Sequence, residues 1–349
     1  MKKKLLMALT ASLVISGVGS ALASDDGTGV QFDGSLTFHY RSQHDSDYVG
    51  GKPDKTRNAF KSTVTLNAQA PLAKNLDAYA RFTFQHINAE SGAFSRDYFN
   101  KPSSDLNNGA IDAFGLKYKN AGYTYVIGSQ ALTLGGGLVY DNGYIGKYAL
   151  PYAVNVSKKI GAVDVTAIAA QTNYQNGKKN DDFYVVEGNY AVNAKTNVGA
   201  MVAHVNYGKT TVADYNLSDS NVTFFSVYGS NKLSNKATVS AEYLVGSTSS
   251  ANQAFQVNLG YQLDKKNKVS AGYYYVEDQA NIFDENGGDM TTSPNNNTKG
   301  VVVSWTHGFD EKTSLTIGDF NYSKIDKNSI SQCVTSDRNR FFTNLSVKF

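Results

Sequence analysis

Five histidines and one cysteine are the side chains best suited to bind metal or attack a substrate, and their spacing gives them little to do. His39, His44, His86, His204 and His307 are scattered, with no pair at the separations that metal sites use. Cys333 has no second thiol with which to form an internal bridge. His44, Asp45 and Asp47 would make an acid–base site in a rigid pocket, but within one polar segment they read as a solvated turn. Gly146-Lys147 is followed by Tyr148 and no glycine stands at 141, so the phosphate-loop pattern is not met. Asp284, Glu285 and Asp289 are placed to bridge divalent cations, though plain surface acids look the same in a sequence. No motif asks for a cofactor.

A second group of charges has more to offer. Arg41 is out of step with Phe38 and Tyr40, Lys61 with Val64 and Leu66, Arg81 with Phe82 and Phe84, and Lys117 with Leu116 and Tyr118. In an extended chain each would point away from its apolar neighbours, and all four to one side. Asp141 is the acid nearest a triple glycine, Gly135, Gly136 and Gly137. Opposed across a gap, such charges polarise whatever lies between them. Whether they meet depends on the elements that hold them.

Those elements are strands. The chain has 23 tyrosines, 18 phenylalanines and 31 glycines but only 5 prolines. Apolar and polar residues alternate through Val30–Tyr40, Val64–Ala68, Ala237–Tyr243, Phe255–Tyr261 and Phe341–Phe349, the period of two that gives a strand one apolar face. The pattern predicts sixteen strands, near 30–40, 59–72, 76–88, 110–119, 122–130, 148–158, 162–174, 182–192, 197–207, 222–231, 236–247, 253–263, 268–277, 299–309, 313–323 and 340–349. Short connections alternate with long ones. The short ones carry more basic than acidic residues and the long ones the reverse, as if the two kinds faced different surroundings. Asn197–Val205 and Thr223–Val227 break the rule, being apolar at both parities. Tyr40, Tyr190, Tyr207, Tyr228 and Tyr322, at strand ends, would form an interfacial girdle.

The N-terminus suggests where such a sheet would be used. Lys2, Lys3 and Lys4, then an uncharged apolar stretch, then Ala21-Leu22-Ala23 follow the order of a cleaved leader over residues 1–23. Without its three lysines the remaining chain, 24–349, has equal numbers of acids and bases, which gives no reason to expect nucleic acid. After the leader no segment has 18 consecutive apolar residues, so no membrane helix is expected; a mean hydropathy of −0.36 does not exclude a membrane barrel, which shows lipid only alternate residues. The expectation is therefore all-β: one transmembrane antiparallel barrel of about sixteen strands, with short periplasmic turns and long external loops. Closure follows because in lipid every backbone amide and carbonyl needs a partner within the protein.

Ala113-Phe114-Gly115-Leu116-Lys117, a short turn and Tyr123-Thr124-Tyr125-Val126-Ile127-Gly128-Ser129-Gln130 resemble the hairpin between the fourth and fifth strands of Gram-negative general porins. The resemblance implies a homotrimeric outer-membrane channel for passive diffusion of small hydrophilic solutes and ions. It makes residues 131–147 the third external loop, hinged at Gly135, Gly136 and Gly137 and folded inward as the constriction, with Asp141 facing Arg81. Arg41, Lys61 and Lys117 would share that basic stretch of wall. Phe349 resembles the signal read by the outer-membrane assembly machinery, and the acidic loops would meet lipopolysaccharide and lipid. One departure stands out: the family carries Gly-Arg-Gln where this chain has Gly128-Ser129-Gln130, so an arginine of the constriction is missing. Alternatives are a sugar or anion channel and a barrel adhesin or structural anchor. A phosphate channel would want a ladder of Arg or Lys, and the inward set is thin; inward Tyr79 and Tyr274 permit a sugar. No converging nucleophile and base point to an enzyme.

Overall fold

Segments that alternate become wall. The computed structural model describes residues 29–48, 54–88, 107–141, 150–173, 180–215, 217–282, 297–326 and 335–349. The proposed leader lies outside them, as do Cys333, the acids at 284, 285 and 289, and residues 142–147 of the third long connection. In chain order the strands are β1 (Gln31–Tyr48), β2 (Lys55–Ala73), β3 (Leu76–Ile87), β4 (Asn107–Asn120), β5 (Tyr123–Ser129), β6 (Thr133–Leu134), β7 (Tyr140–Asp141), β8 (Tyr152–Ile160) and β9 (Val163–Asn173). They continue with β10 (Asn180–Ala191), β11 (Thr196–Asn206), β12 (Asn221–Lys232), β13 (Ala237–Gly246), β14 (Gln253–Gln262), β15 (Asn267–Val276), β16 (Thr298–Gly308), β17 (Thr313–Lys324) and β18 (Thr335–Lys348). A short helix, α1 (Lys209–Tyr215), follows β11.

All but β6 and β7 join in one closed antiparallel barrel in which each strand pairs with its sequence neighbours and β1 pairs with β18. Sixteen strands meet, each where the alternation puts one. The seam is completed by Phe349, whose amide and carbonyl exchange hydrogen bonds of 3.1 Å with Gly34. A closed sheet leaves no edge of unpaired amides. Its outward face carries Phe38, Phe60, Phe84, Val186 and Val227, all about half exposed. The alternate positions point into the lumen.

At the short-turn end, Asp264 accepts from the amides of Lys266 and Asn267 and from the Asn267 side chain, and Asp310 accepts from the amides of Lys312 and Thr313. Bonding to the Asn267 side chain, then the backbone, holds the Asp264 carboxyl below its ordinary range. The Lys312 and Thr313 amides do the same for Asp310.

Three differences from the sequence reading have physical causes. The strands of the seam are longer than their apolar bands: β1 runs 18 residues and β2 19, because pairing continues where both faces are polar and alternation carries no signal. The strands apolar at both parities have two covered faces. Met201, Ala203 and Val205 of β11 and Val222 and Phe224 of β12 point inward and are buried by other chain segments. Finally, the five tyrosines do not form one girdle. Tyr207, Tyr228 and Tyr322 face the lumen, where Tyr228 bonds to Glu187 and Asn189; parity, not position near a strand end, decides the face.

Candidate functional site

The lumen has two unlike walls, and the connection between β5 and β8 makes the difference. Its described part turns back on itself through the β6–β7 pair, with the Gly137 amide bonded to the Leu134 carbonyl at 3.0 Å. Gly135 and Gly137 have φ of 62° and 98°, a region that side chains strain to occupy. Gly136 is needed for closeness instead: a Cβ there would lie 2.6 Å from a Glu242 carboxylate oxygen. Leu132, Leu134, Leu138, Val139 and Tyr140 are buried against the inward residues of β10–β15, among them Phe183, Val185, Phe224 and Leu244. Each such side chain removed from water is worth about 1.5–3 kcal/mol.

Polar bonds fix the position that burial alone leaves loose. Glu187 of β10 accepts from the Gly135 amide at 3.1 Å. Glu242 of β13 accepts from the Leu138 amide at 3.0 Å, from Ser226 at 2.8 Å and from Gln256 at 3.0 Å. Gln256 also donates to the Gly136 carbonyl at 2.7 Å. Beyond β15, the Ile282 amide meets the Val139 carbonyl at 3.0 Å. The connection after β11 is anchored in the same way by Asp181, which accepts from the Gly208 amide and the Thr211 hydroxyl.

Across the barrel the inward groups are polar. Arg81 of β3 donates twice to Asp112 of β4, at 2.6 and 3.0 Å, and Thr83 adds a third bond at 3.1 Å. A β-bulge makes this possible. Phe82 pairs with Ile111 and Arg81 with Ala113, so Asp112 is the extra residue and turns inward. Ser129, standing where the porin pattern has arginine, donates to the Asp112 carbonyl at 3.3 Å.

At the long-loop end of β18, β1 and β2 lies a second charged group. Asp45 is fully buried and receives Arg57 at 2.5 Å, Arg338 and Gln43. Arg340 donates to Gln43 at 2.8 and 3.0 Å. The guanidinium of Arg338 lies 5.4 Å from the centre of the Tyr322 ring and that of Arg340 5.6 Å from Phe320. Arg41 is buried one register step below Gln43. His44 points to the other face and bonds Thr56, so His44 and Asp45 form no acid–base pair.

The register separates residues that parity had grouped. Lys61 lies opposite Ile87, six residues along β3 from Arg81, roughly 20 Å of strand. Lys117 lies opposite Asp77, four residues to the other side, roughly 13 Å. Arg41 is opposite Ala59 and Phe342. Asp141, at the end of β7, accepts from Thr133 at 2.8 Å. The four cations therefore share a face but not one stretch of wall, because alternation fixes the face and only pairing fixes the height. Inward Tyr79 donates to the Ser129 carbonyl, and Tyr274 is buried in the apolar cluster. Asp112, Glu187, Glu242, Arg57, Arg338, Arg340 and Lys324 were not singled out from the sequence. Glu187 and Glu242 did have a signal, an acid in step with the inward parity beside Val186 and Tyr243.

No protein-family model matches the chain, and no curated protein sequence does. Solved structures match by shape. A mutant of the porin of Rhodopseudomonas blastica is similar with a TM-score of 0.55 at 13% identity, over 92% of this chain and 100% of that one. A second mutant of the same porin gives 0.56 at 12% identity over the same shares. The likeness is one of fold: this chain has the closed sixteen-stranded barrel of those porins.

Proposed function

We propose that the chain forms a water-filled channel in a bacterial outer membrane, through which small hydrophilic solutes and ions diffuse passively. The observation that carries this reading is the division of the lumen. A sixteen-stranded barrel encloses more space than its own side chains fill, and here a loop bonded to Glu187 and Glu242 lies along one wall while polar and charged groups line the other. In this reading the loop is the constriction, Gly135, Gly136 and Gly137 let it turn, and Arg81 and Asp141 flank the passage. Arg41, Lys61 and Lys117 set the field above and below. The barrel works as a homotrimer after removal of residues 1–23, and Phe349 directs its assembly. Its acidic external loops meet lipopolysaccharide. The tied-up state of the inward acids supports a channel rather than an enzyme.

The test is single-channel recording of the refolded chain 24–349 in a planar bilayer. Stable ohmic steps support a diffusion channel, and steps in threes support the trimer. A folded barrel that passes no current refutes the reading and leaves an adhesin or structural anchor.

A further inference from the structure

All seven short turns lie within the described residues, so the charge at that end of the barrel can be counted. Within four residues of the strand ends there, parity turns six lysines inward. Lys117 and Lys119 alternate with the outward Leu116 and Tyr118, and Lys159 with the outward Ile160. Lys232 is in step with Tyr228, Lys268 with Tyr274 and Lys348 with Arg340, all of which face the lumen. The inward acids at the same level are Asp33, Asp77 and Asp164, on β1, β3 and β9. Asp33 already accepts from Asn67 at 2.5 Å and Asp77 from Gln69 at 2.9 Å. Among the described residues of β10–β18 the first inward acids are Glu187 and Glu242, deeper in the lumen and bonded to the loop.

The turns sharpen the imbalance. They add Lys74, Lys195, Lys236, Lys265, Lys266 and Lys312 against Asp264, Asp310 and Glu311. Of these acids, Asp264 and Asp310 are occupied by turn amides. Asp25 and Asp26, which lie outside the described residues, and the terminal carboxylate together do not cancel the excess, wherever they sit. The inward lysines are also open to water. Lys119, Lys159, Lys232, Lys268 and Lys348 are exposed, and among the described residues their ammonium groups have no hydrogen bond or ion pair. At the other end of the barrel the long connections carry an excess of acids.

We propose that this lysine ring makes the short-turn mouth an anion-collecting vestibule, so that small anions are enriched at one end of the channel and not at the other. The inference rests on the channel reading and adds the sign and the side of its selectivity. A mouth lined by one sign of charge, with low-dielectric walls, focuses its field on the solution it encloses. Lysine suits this task because its ammonium is a hydrated point charge on a flexible stem and forms no rigid fork. Anions are gathered without being held, and conduction requires that they leave. A net charge of a few units, set roughly 10–15 Å from the axis of a barrel this size and screened over about 10 Å, enriches monovalent anions about twofold.

The experiment is planar-bilayer recording of the refolded chain in a lipid with neutral headgroups. Reversal potential is measured across the same inserted channel with about 0.1 M KCl against about 1 M, and again with the gradient turned round. Screening falls from about 10 to about 3 Å between those salts, so the vestibule acts only when its mouth faces the dilute side. The chloride-over-potassium permeability ratio should differ about twofold between the two directions. In Lys119→Gln, Lys159→Gln, Lys232→Gln and Lys268→Gln combined, the more anion-preferring value should fall toward the other. The same four changed to Arg should keep the wild-type difference. Resistance of the unboiled variants to SDS, read as gel mobility, shows that they fold; should the fourfold variant not fold, Lys232→Gln with Lys268→Gln takes its place, with half the effect. Equal ratios in the two directions for the wild type overturn the vestibule and leave the channel standing. A difference that persists unchanged in the folded Gln variant does the same, since it then arises at the long-loop end. Absence of any conductance from folded protein overturns the channel reading and the vestibule with it.

Discussion

Removing the Glu242 carboxylate tests how the loop is held. Its two oxygens take three donors, the Leu138 amide at 3.0 Å, Ser226 at 2.8 Å and Gln256 at 3.0 Å. In Glu242→Ala, Ser226 can turn elsewhere and Gln256 keeps its bond to the Gly136 carbonyl. The firm loss is the Leu138 amide, left buried without an acceptor, plus the charge-assisted share of the other two. That is about 3–5 kcal/mol taken from the seated loop. At ~1.4 kcal/mol per tenfold, the unseated population rises by roughly two to three and a half orders of magnitude. The loop does not come free altogether, since Leu134, Val139 and Tyr140 remain buried. The expected record is a barrel of normal mean conductance with brief upward excursions that the wild type lacks. Glu242→Gln is the control. Its oxygen still serves Leu138 and Gln256 while its amide donates to Ser226, and the excursions should be rare. Identical open-level noise in Glu242→Ala and wild type would refute the argument that this carboxylate seats the loop.

Other consequences can be checked with the same material. Neutralising Arg81 and Asp141 together, as Arg81→Gln with Asp141→Asn, should shift ion selectivity; an unchanged reversal potential removes both from the constriction. Asp112→Ala leaves Arg81 without its bidentate partner in a place where the carboxylate is fully buried, and should lower the barrel's unfolding free energy in urea by about 3–5 kcal/mol. Asp264 and Asp310 have carboxyls held below their ordinary range by turn amides. Their contribution is therefore complete above the unfolded-state pKa and lost as pH falls through the lower folded-state value. Acidification should speed hydrogen exchange at the amides of Lys266, Asn267, Lys312 and Thr313 beyond the intrinsic trend, and Asp264→Asn with Asp310→Asn should abolish the difference.

All sixteen strands were legible because the outward face demands a strict period of two wherever it is apolar. The same demand explains where reading stopped. Asp45, Arg57 and Arg338 belong to strands, yet both faces are polar there and the segments look like loops. Asp112 was invisible because a bulge changes the parity of β4 at that residue, and no spacing rule announces a bulge. Lys61, Arg81 and Lys117 were given the right face and no height, since register arises from pairing between strands. The double apolarity of β11 and β12 was seen as a weakness of the assignment. It records a second partner, the loop containing Leu134 and Leu138, which covers the inner face.

That second partner comes early in the chain and its berth comes late. Residues 132–141 precede β10–β15, and the bonds from Gln256 to Gly136 and from Ile282 to Val139 close over more than a hundred residues. During assembly the inward side chains of Phe183, Phe224 and Leu244 therefore meet water before the loop can cover them. A barrel caught at that stage is wide, greasy inside and prone to associate. Seating of the loop is the step that dries this wall, so maturation and narrowing of the lumen become one event, and a chain slow to complete it would betray itself by binding a hydrophobic dye.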